Sequence, residues 1–155
     1  MINNAGFSSS NELLTYPEKI WEKTYKINLK APYELSKIFA PFMIKQKSGV
    51  IINITSLNSE LAFPDNPAYI TFKGALKQLS KSLALDLGRY GIRVNNIGPG
   101  YFKTKMTEKS WKDKKLRKMR SQRTVLGRWG KPEDLICIII CLCSKSSSYI
   151  TGQDI

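Results

Sequence analysis

The sequence predicts an α/β chain built on a parallel sheet, and three observations predict it. Two short β-branched segments, GVIINIT at residues 49–55 and IRVNNIGPG at 92–100, have the length and composition of buried strands. Around them lie long stretches whose apolar residues recur at three- and four-residue spacing, as helices require. Each connection between strands is long enough for a crossover helix. At 155 residues and 42% apolar content the chain is expected to form one domain over residues 1–155.

The elements follow in order. Thr15 and Glu18 have capping-box spacing, and Pro17 is tolerated in a first turn, so a helix is expected from about residue 16. Pro32 and Pro41 interrupt what comes next, which predicts two kinked helices over 16–28 and 30–46. The strand at 49–55 is entered through Gly49. Residues 66–89 predict one long helix, with Ala75, Leu76, Leu79, Leu83 and Leu87 on its apolar face, and Gly91 ends it. The second strand stops at Pro99-Gly100. A further helix is expected from Pro132, where Glu133 and Asp134 suit the positive end of the helix dipole. The final ITGQDI turns toward a strand, so two full strands are expected with a remnant at each end.

Charge is concentrated. The net charge is +13, and residues 103–123 carry ten Lys or Arg against two acids. Trp111 lies in this segment, but one aromatic is no stacking platform and no groove-reading motif flanks it, so nucleic acid is set aside as a partner. A solvated basic face, or a surface for an anionic substrate or acidic partner, are the readings kept. The chain has no histidine, and Cys137, Cys141 and Cys143 are crowded into one apolar run. They read as small buried hydrophobes in a reducing compartment, with neither a disulfide framework nor a metal site. The longest apolar run, about ten residues, is too short for a bilayer span, and no signal peptide is apparent, so a cytoplasmic protein with no membrane partner is expected.

Tyr69 and Lys73 are four apart near a helix start and so share a face. An ammonium beside a phenol favours the phenolate and lowers a pKa that is otherwise about 10. Ser56 directly follows the first strand, at the carboxyl end where open α/β sheets bind ligands. Asn28 sits at the expected helix break, where an amide satisfies loose backbone groups. Each residue alone has an ordinary structural explanation.

Their order is more informative. NNAG at 3–6, an asparagine at 28, a serine after NIT, Tyr-x-x-x-Lys at 69–73 and PG after the next strand together resemble the short-chain dehydrogenase/reductase family. The resemblance spans nearly the whole chain. It implies a catalytic set of Asn28, Ser56, Tyr69 and Lys73, with Tyr69 as general acid-base, Ser56 on the reacting oxygen, Lys73 on the ribose, and Asn28 in a proton relay. It also implies NADP or NAD as cofactor. Asn4, Ala5 and Gly6 would lie along its adenosine side, and Pro99, Gly100, Phe102 and Thr104 would frame the nicotinamide. NITSLNSELA, GPGYFKTKMT and RTVLGRWGKPEDL are similar to the gluconate 5-dehydrogenase branch, which implies a sugar acid as substrate. The 3-oxoacyl-acyl-carrier-protein reductases share the scaffold and are the alternative. A homo-tetramer or dimer is the family's usual assembly.

The family pattern also starts with a strand, a glycine-rich turn and a helix that receive the pyrophosphate, and no G-x-x-x-G-x-G occurs here. NNAG normally closes the fourth strand. The expected architecture is therefore a partial Rossmann-like, doubly wound parallel sheet lacking its first strands, slightly short at the carboxyl end as well. Two functional expectations follow: a truncated oxidoreductase that alone binds dinucleotide weakly or not at all and has no measurable activity, or a non-catalytic interaction or polyanion-binding fragment.

Overall fold

β2 (Gly49–Ile54) lies at the centre of a parallel sheet, between β1 (Ile2–Asn3) and β3 (Ile92–Ile97). The computed structural model describes residues 1–155. The tail begins a further parallel line beside β3, for Asn96 N–H donates to Gln153 O at 2.7 Å and Gly98 N–H to Ile155 O at 2.7 Å. Both faces of this sheet are covered, which is why its strands read as near-continuous β-branched runs.

On one face, Ile51, Ile92 and Val94 pack with Ala40 of α2 (Ala31–Gln46) and with Ala84 and Leu87 of α3 (Pro67–Gly88). On the other, Ile52 and Ile97 meet Leu142 of α6 (Ile136–Cys143). The sheet is thus the middle of three layers. Gly91, at φ +75°, turns the chain from α3 into β3 and lies so close to Lys47 O that a Cβ would approach it to 2.7 Å.

The amino-terminal helices depart from expectation. Instead of a break at Asn28, α1 (Glu18–Tyr25) runs into α2 through a π-helical turn at Lys26–Lys30. Pro32 has no N–H to donate to the carbonyl four residues back, and the widened turn accommodates that without ending the helix. The capping box does not form either. Pro17 is the N-cap residue of α1, and no side chain caps the first turn. Strand β3 ends at Ile97, with Gly98 between it and the Pro99-Gly100 turn.

The cysteines are a second correction. Cys137 and Cys143 are exposed and Cys141 is half-buried. α6 directs only Leu142 fully into the core, because one short helix against a sheet can bury one stripe and leaves the rest of an apolar run outside.

The basic segment forms α4 (Glu108–Lys112) and α5 (Lys114–Gln122), with Asp113 capping α5 by accepting Leu116 N–H at 2.8 Å. Buried Trp129 fastens α5 by donating its Nε1–H to Arg117 O at 3.2 Å, and Arg120 stacks over Tyr101 and Trp129. Within 103–123 only Lys112 has an acidic partner, Glu108, so the remaining charge faces water. No helix is long and apolar enough to cross a membrane.

Candidate active site

Ser56 is placed by the end of β2. It caps a short 3-10 turn, Leu57–Ser59, accepting Asn58 N–H at 3.2 Å, and is 8% exposed. Two contacts seat that turn: Leu57 N–H donates to Pro99 O at 3.0 Å, and the Ser59 hydroxyl donates to Lys73 O at 3.0 Å. The first ties it to the loop after β3, the second to α3.

α3 starts at Pro67, which is preorganised for a first helical position. Its first two turns carry Tyr69 and Lys73 on one face. Lys73 is 3% exposed, its Nζ lies 5.7 Å from the Tyr69 ring centroid, and it donates to Ile54 O at 2.5 Å. Ser56, Tyr69 and Lys73 therefore converge at the carboxyl end of β2, where the loop of an open parallel sheet leaves backbone groups free to meet a ligand.

Asn28 is fully buried in the π-helical turn and reaches the loop after β1. Its Nδ2 donates to Phe7 O at 2.7 Å, and its Oδ1 accepts Phe7 N–H at 3.0 Å. This two-way bond brings Gly6 to the site. A Cβ on Gly6 would lie 3.5 Å from Asn28 Oδ1, 3.5 Å from Met106 Cε and 4.0 Å from Lys73 Nζ. Asn4, Ala5 and Gly6 are exposed beside it. Beyond β3, Phe102 lies against Gly130, Gly100 and Thr104 are exposed, and the Thr104 N–H donates to Thr107 Oγ1 at 3.0 Å.

The electrostatics differ from the sequence expectation. Burial pushes the Tyr69 phenol above its ordinary range, and a hydrogen bond with Ser56 acts the other way. Lys73 does not pull it down. Desolvation takes Lys73 itself to about 8, since no carboxylate accompanies its ammonium into the interior. Asp134 is the contrasting case. Hydrogen bonds from Arg128, at 2.7 and 3.0 Å, and from Lys131 N–H hold its carboxyl at about 2 and staple the loop that follows α5.

These groups fit the nicotinamide-ribose end of a dinucleotide. Lys73 has three N–H donors and spends one on Ile54 O, leaving two for hydroxyl oxygens at a buried position. These 155 residues contain no glycine-rich turn opening a helix of the kind that receives a pyrophosphate.

All of residues 1–155 match the family described as enoyl-(acyl carrier protein) reductase. The chain belongs to the short-chain dehydrogenase/reductase family. Within that family, it is 39% identical over 153 residues to gluconate 5-dehydrogenase of Gluconobacter oxydans, covering 99% of this chain and 60% of the relative. It is 36% identical to a 3-oxoacyl-[acyl-carrier-protein] reductase of Thermotoga maritima, covering 99% of this chain and 61% of that one. The crystal structure of a gluconate 5-dehydrogenase from Burkholderia cenocepacia in complex with NADP and tartrate superposes with a TM-score of 0.97 at 34% identity, covering 99% of this chain and 60% of that chain. The short-chain dehydrogenase/reductase chain described here thus spans about 60% of the length of these relatives.

Sequence reasoning did not find Met106 beside Gly6, the Ser59 bond to Lys73 O, or the Asn28 bonds to Phe7. These pairs are separated by 14 to 100 residues. No local pattern signals them.

Proposed function

We propose that these residues form the proton-handling and nicotinamide side of a dehydrogenase centre for a sugar acid of the gluconate and 5-ketogluconate kind. The observation that carries the reading is the convergence of Ser56, Tyr69 and the buried, carboxylate-free Lys73 at the end of β2. Tyr69 passes its phenolic proton to the substrate carbonyl oxygen in reduction and takes it back from the hydroxyl in oxidation. Ser56 holds that oxygen and the phenol together. Lys73 offers its two remaining N–H groups to ribose hydroxyls, and Asn28 holds the loop of Asn4, Ala5 and Gly6 through Phe7. Pro99, Gly100, Phe102 and Thr104 frame the opposite wall. A nicotinamide dinucleotide, NADP or NAD, supplies or accepts the hydride when bound.

The Tyr69 phenol is protonated at neutral pH, as an ordinary tyrosine is, and burial moves it further from ionisation, so the site is poised to donate a proton, which is the reductive direction. Oxidation calls for the phenolate and should accelerate as pH rises. The sugar-acid substrate is supported by the relatives from Gluconobacter oxydans and Burkholderia cenocepacia. The exposed basic face of α4 and α5 favours one second reading, an acyl group presented by an acidic carrier protein.

The test is reduction of 5-ketogluconate by the purified chain with NADPH or NADH at high concentration, beside Tyr69→Phe. Saturation-transfer NMR with nicotinamide mononucleotide, which needs no pyrophosphate turn, reports on the site directly. The expected result is mononucleotide binding that Lys73→Met abolishes, with dinucleotide binding little tighter than mononucleotide binding. Absence of mononucleotide binding, or reduction that Tyr69→Phe leaves unchanged, contradicts the reading; turnover of a 3-oxoacyl thioester in place of the keto acid favours the second.

A further inference from the structure

The strand end that carries Ser56 is clamped by the last residues of the chain. Thr55, 2% exposed, places its Oγ1 2.8 Å from Asp154 Oδ1 and 3.1 Å from Ile97 O. A hydroxyl has one proton to give, and the charged carboxylate is the stronger acceptor. The other Asp154 oxygen lies 3.8 Å from Lys77 Nζ, and Lys77 also pairs with Glu60, just beyond the Leu57–Ser59 turn. Lys77 follows Lys73 by one helical turn and so shares its face of α3.

Asp154 is itself fixed. Its neighbours are laddered to β3, with Asn96 N–H donating to Gln153 O at 2.7 Å and Ile155 N–H to Asn96 O at 3.2 Å, and its side chain is 13% exposed. Gly98 leaves room for the contact, because a Cβ there would lie 3.3 Å from Thr55 Oγ1 and 3.8 Å from Asp154 Oδ2. The Lys77–Glu60 pair has a carboxylate about half exposed and would hold little alone. The charge-assisted bond to a buried hydroxyl is the stronger half of the cluster.

We propose that Asp154 is a positioning residue for Ser56. By holding Thr55, just past the end of β2, and Lys77 on α3 with one carboxylate, it sets where the Ser56 hydroxyl sits relative to the Tyr69 phenol. Thr55 is anchored through its side chain and Leu57 through its N–H to Pro99 O, so both residues flanking Ser56 are held, and the Ser56 Oγ meets Asn58, accepting its N–H at 3.2 Å and donating to its Oδ1 at 3.4 Å. This inference rests on the reading of Ser56 and Tyr69 as the reacting pair.

The experiment uses the 155-residue chain with ¹³C-labelled tyrosine, the Tyr69 resonance being assigned by its loss in Tyr69→Phe. Asp154→Asn and Thr55→Val are each expected to move the Tyr69 titration midpoint upward, because the Ser56 hydrogen bond that opposes the effect of burial is weakened. Thr55→Ser should restore the wild-type midpoint. Exchange of the Leu57 amide should speed up by about tenfold or more in both variants, and the double variant should add little to either single one. A variant that melts earlier yet leaves the Tyr69 midpoint and the Leu57 exchange unchanged shows a tail clamp only and overturns the proposal. Should Asp154→Asn fail to fold, Thr55→Val decides by the same readout. If the wild-type chain binds no nicotinamide mononucleotide, the functional reading fails while the titration still judges the positioning role.

Discussion

The ammonium of Lys73 donates to the carbonyl oxygen of Ile54 at 2.5 Å in a site where no carboxylate reaches it. A charge buried on these terms costs stability, and the same desolvation lowers Lys73 from 10.5 to about 8.

Lys73→Met should therefore stabilise the chain at pH 7, by on the order of 3 kcal/mol or less, while abolishing nicotinamide binding. The sign with pH is definite. The unfolded lysine keeps its proton to about 10.5 and the folded one only to about 8, so the penalty is complete below 8 and fades as pH rises through that window. Melting temperatures of wild type and Lys73→Met should converge between pH 8 and 10; a constant gap would show that desolvation is not the cause.

Asn28→Ala should destabilise by about 2–4 kcal/mol, since it removes two hydrogen bonds from a fully buried position and strands both polar groups of Phe7. Urea denaturation gives the loss. Amide exchange should place the loosening at residues 4–8, and a uniform change across α1 and α2 would argue against it.

Gly130→Ala should disturb the wall formed by Phe102. A Cβ at 130 would approach the Phe102 ring to between 2.6 and 2.9 Å, while the backbones of the two segments stay paired through Lys103 N–H to Gly130 O at 2.9 Å. The expected cost is about 1–3 kcal/mol. Buried Trp129 is adjacent, so its fluorescence should shift on substitution; an unchanged spectrum and melting point would mean that Phe102 simply turns aside.

Ser80→Ala should break a polar chain that crosses the core. Asn3 Nδ2 donates to Asn53 Oδ1 at 2.7 Å, Asn53 Nδ2 to Ser80 Oγ at 2.7 Å, and Ser80 Oγ to Leu76 O at 2.9 Å. Loss of the hydroxyl leaves Asn53 short of an acceptor in a fully buried place, at about 1–3 kcal/mol. Ser80→Thr keeps the hydroxyl and should retain most of that stability in thermal denaturation; if Ser80→Ala melts with wild type, the chain contributes nothing.

Much of this fold is legible in the residues. β2 and α3 announce themselves because a buried parallel strand needs an unbroken β-branched run and a core-facing helix needs a repeating apolar stripe. Asn28 is less legible. Proline chemistry predicts an interruption near residue 30, and two kinked helices are the natural reading, but a π-helical turn absorbs Pro32 and leaves one continuous helix. The three cysteines mislead for another reason. Composition records that a segment is apolar without recording how many of its sides have a partner, and α6 has one.

The candidate site divides in the same way. Residue types and spacing place Tyr69 and Lys73 on one helix face and Ser56 at a strand end, because those relations lie within single elements and follow from helical and strand periods. What the phenol and the ammonium experience is decided by tertiary structure. Burial, absent from any local pattern, raises the Tyr69 phenol and lowers the Lys73 ammonium, where spacing alone predicts an ammonium that lowers the phenol. The Asn28 bonds to Phe7 and the Asp154 bond to Thr55 join residues 21 and 99 positions apart. Such contacts depend on which elements pack together, and so on the whole fold.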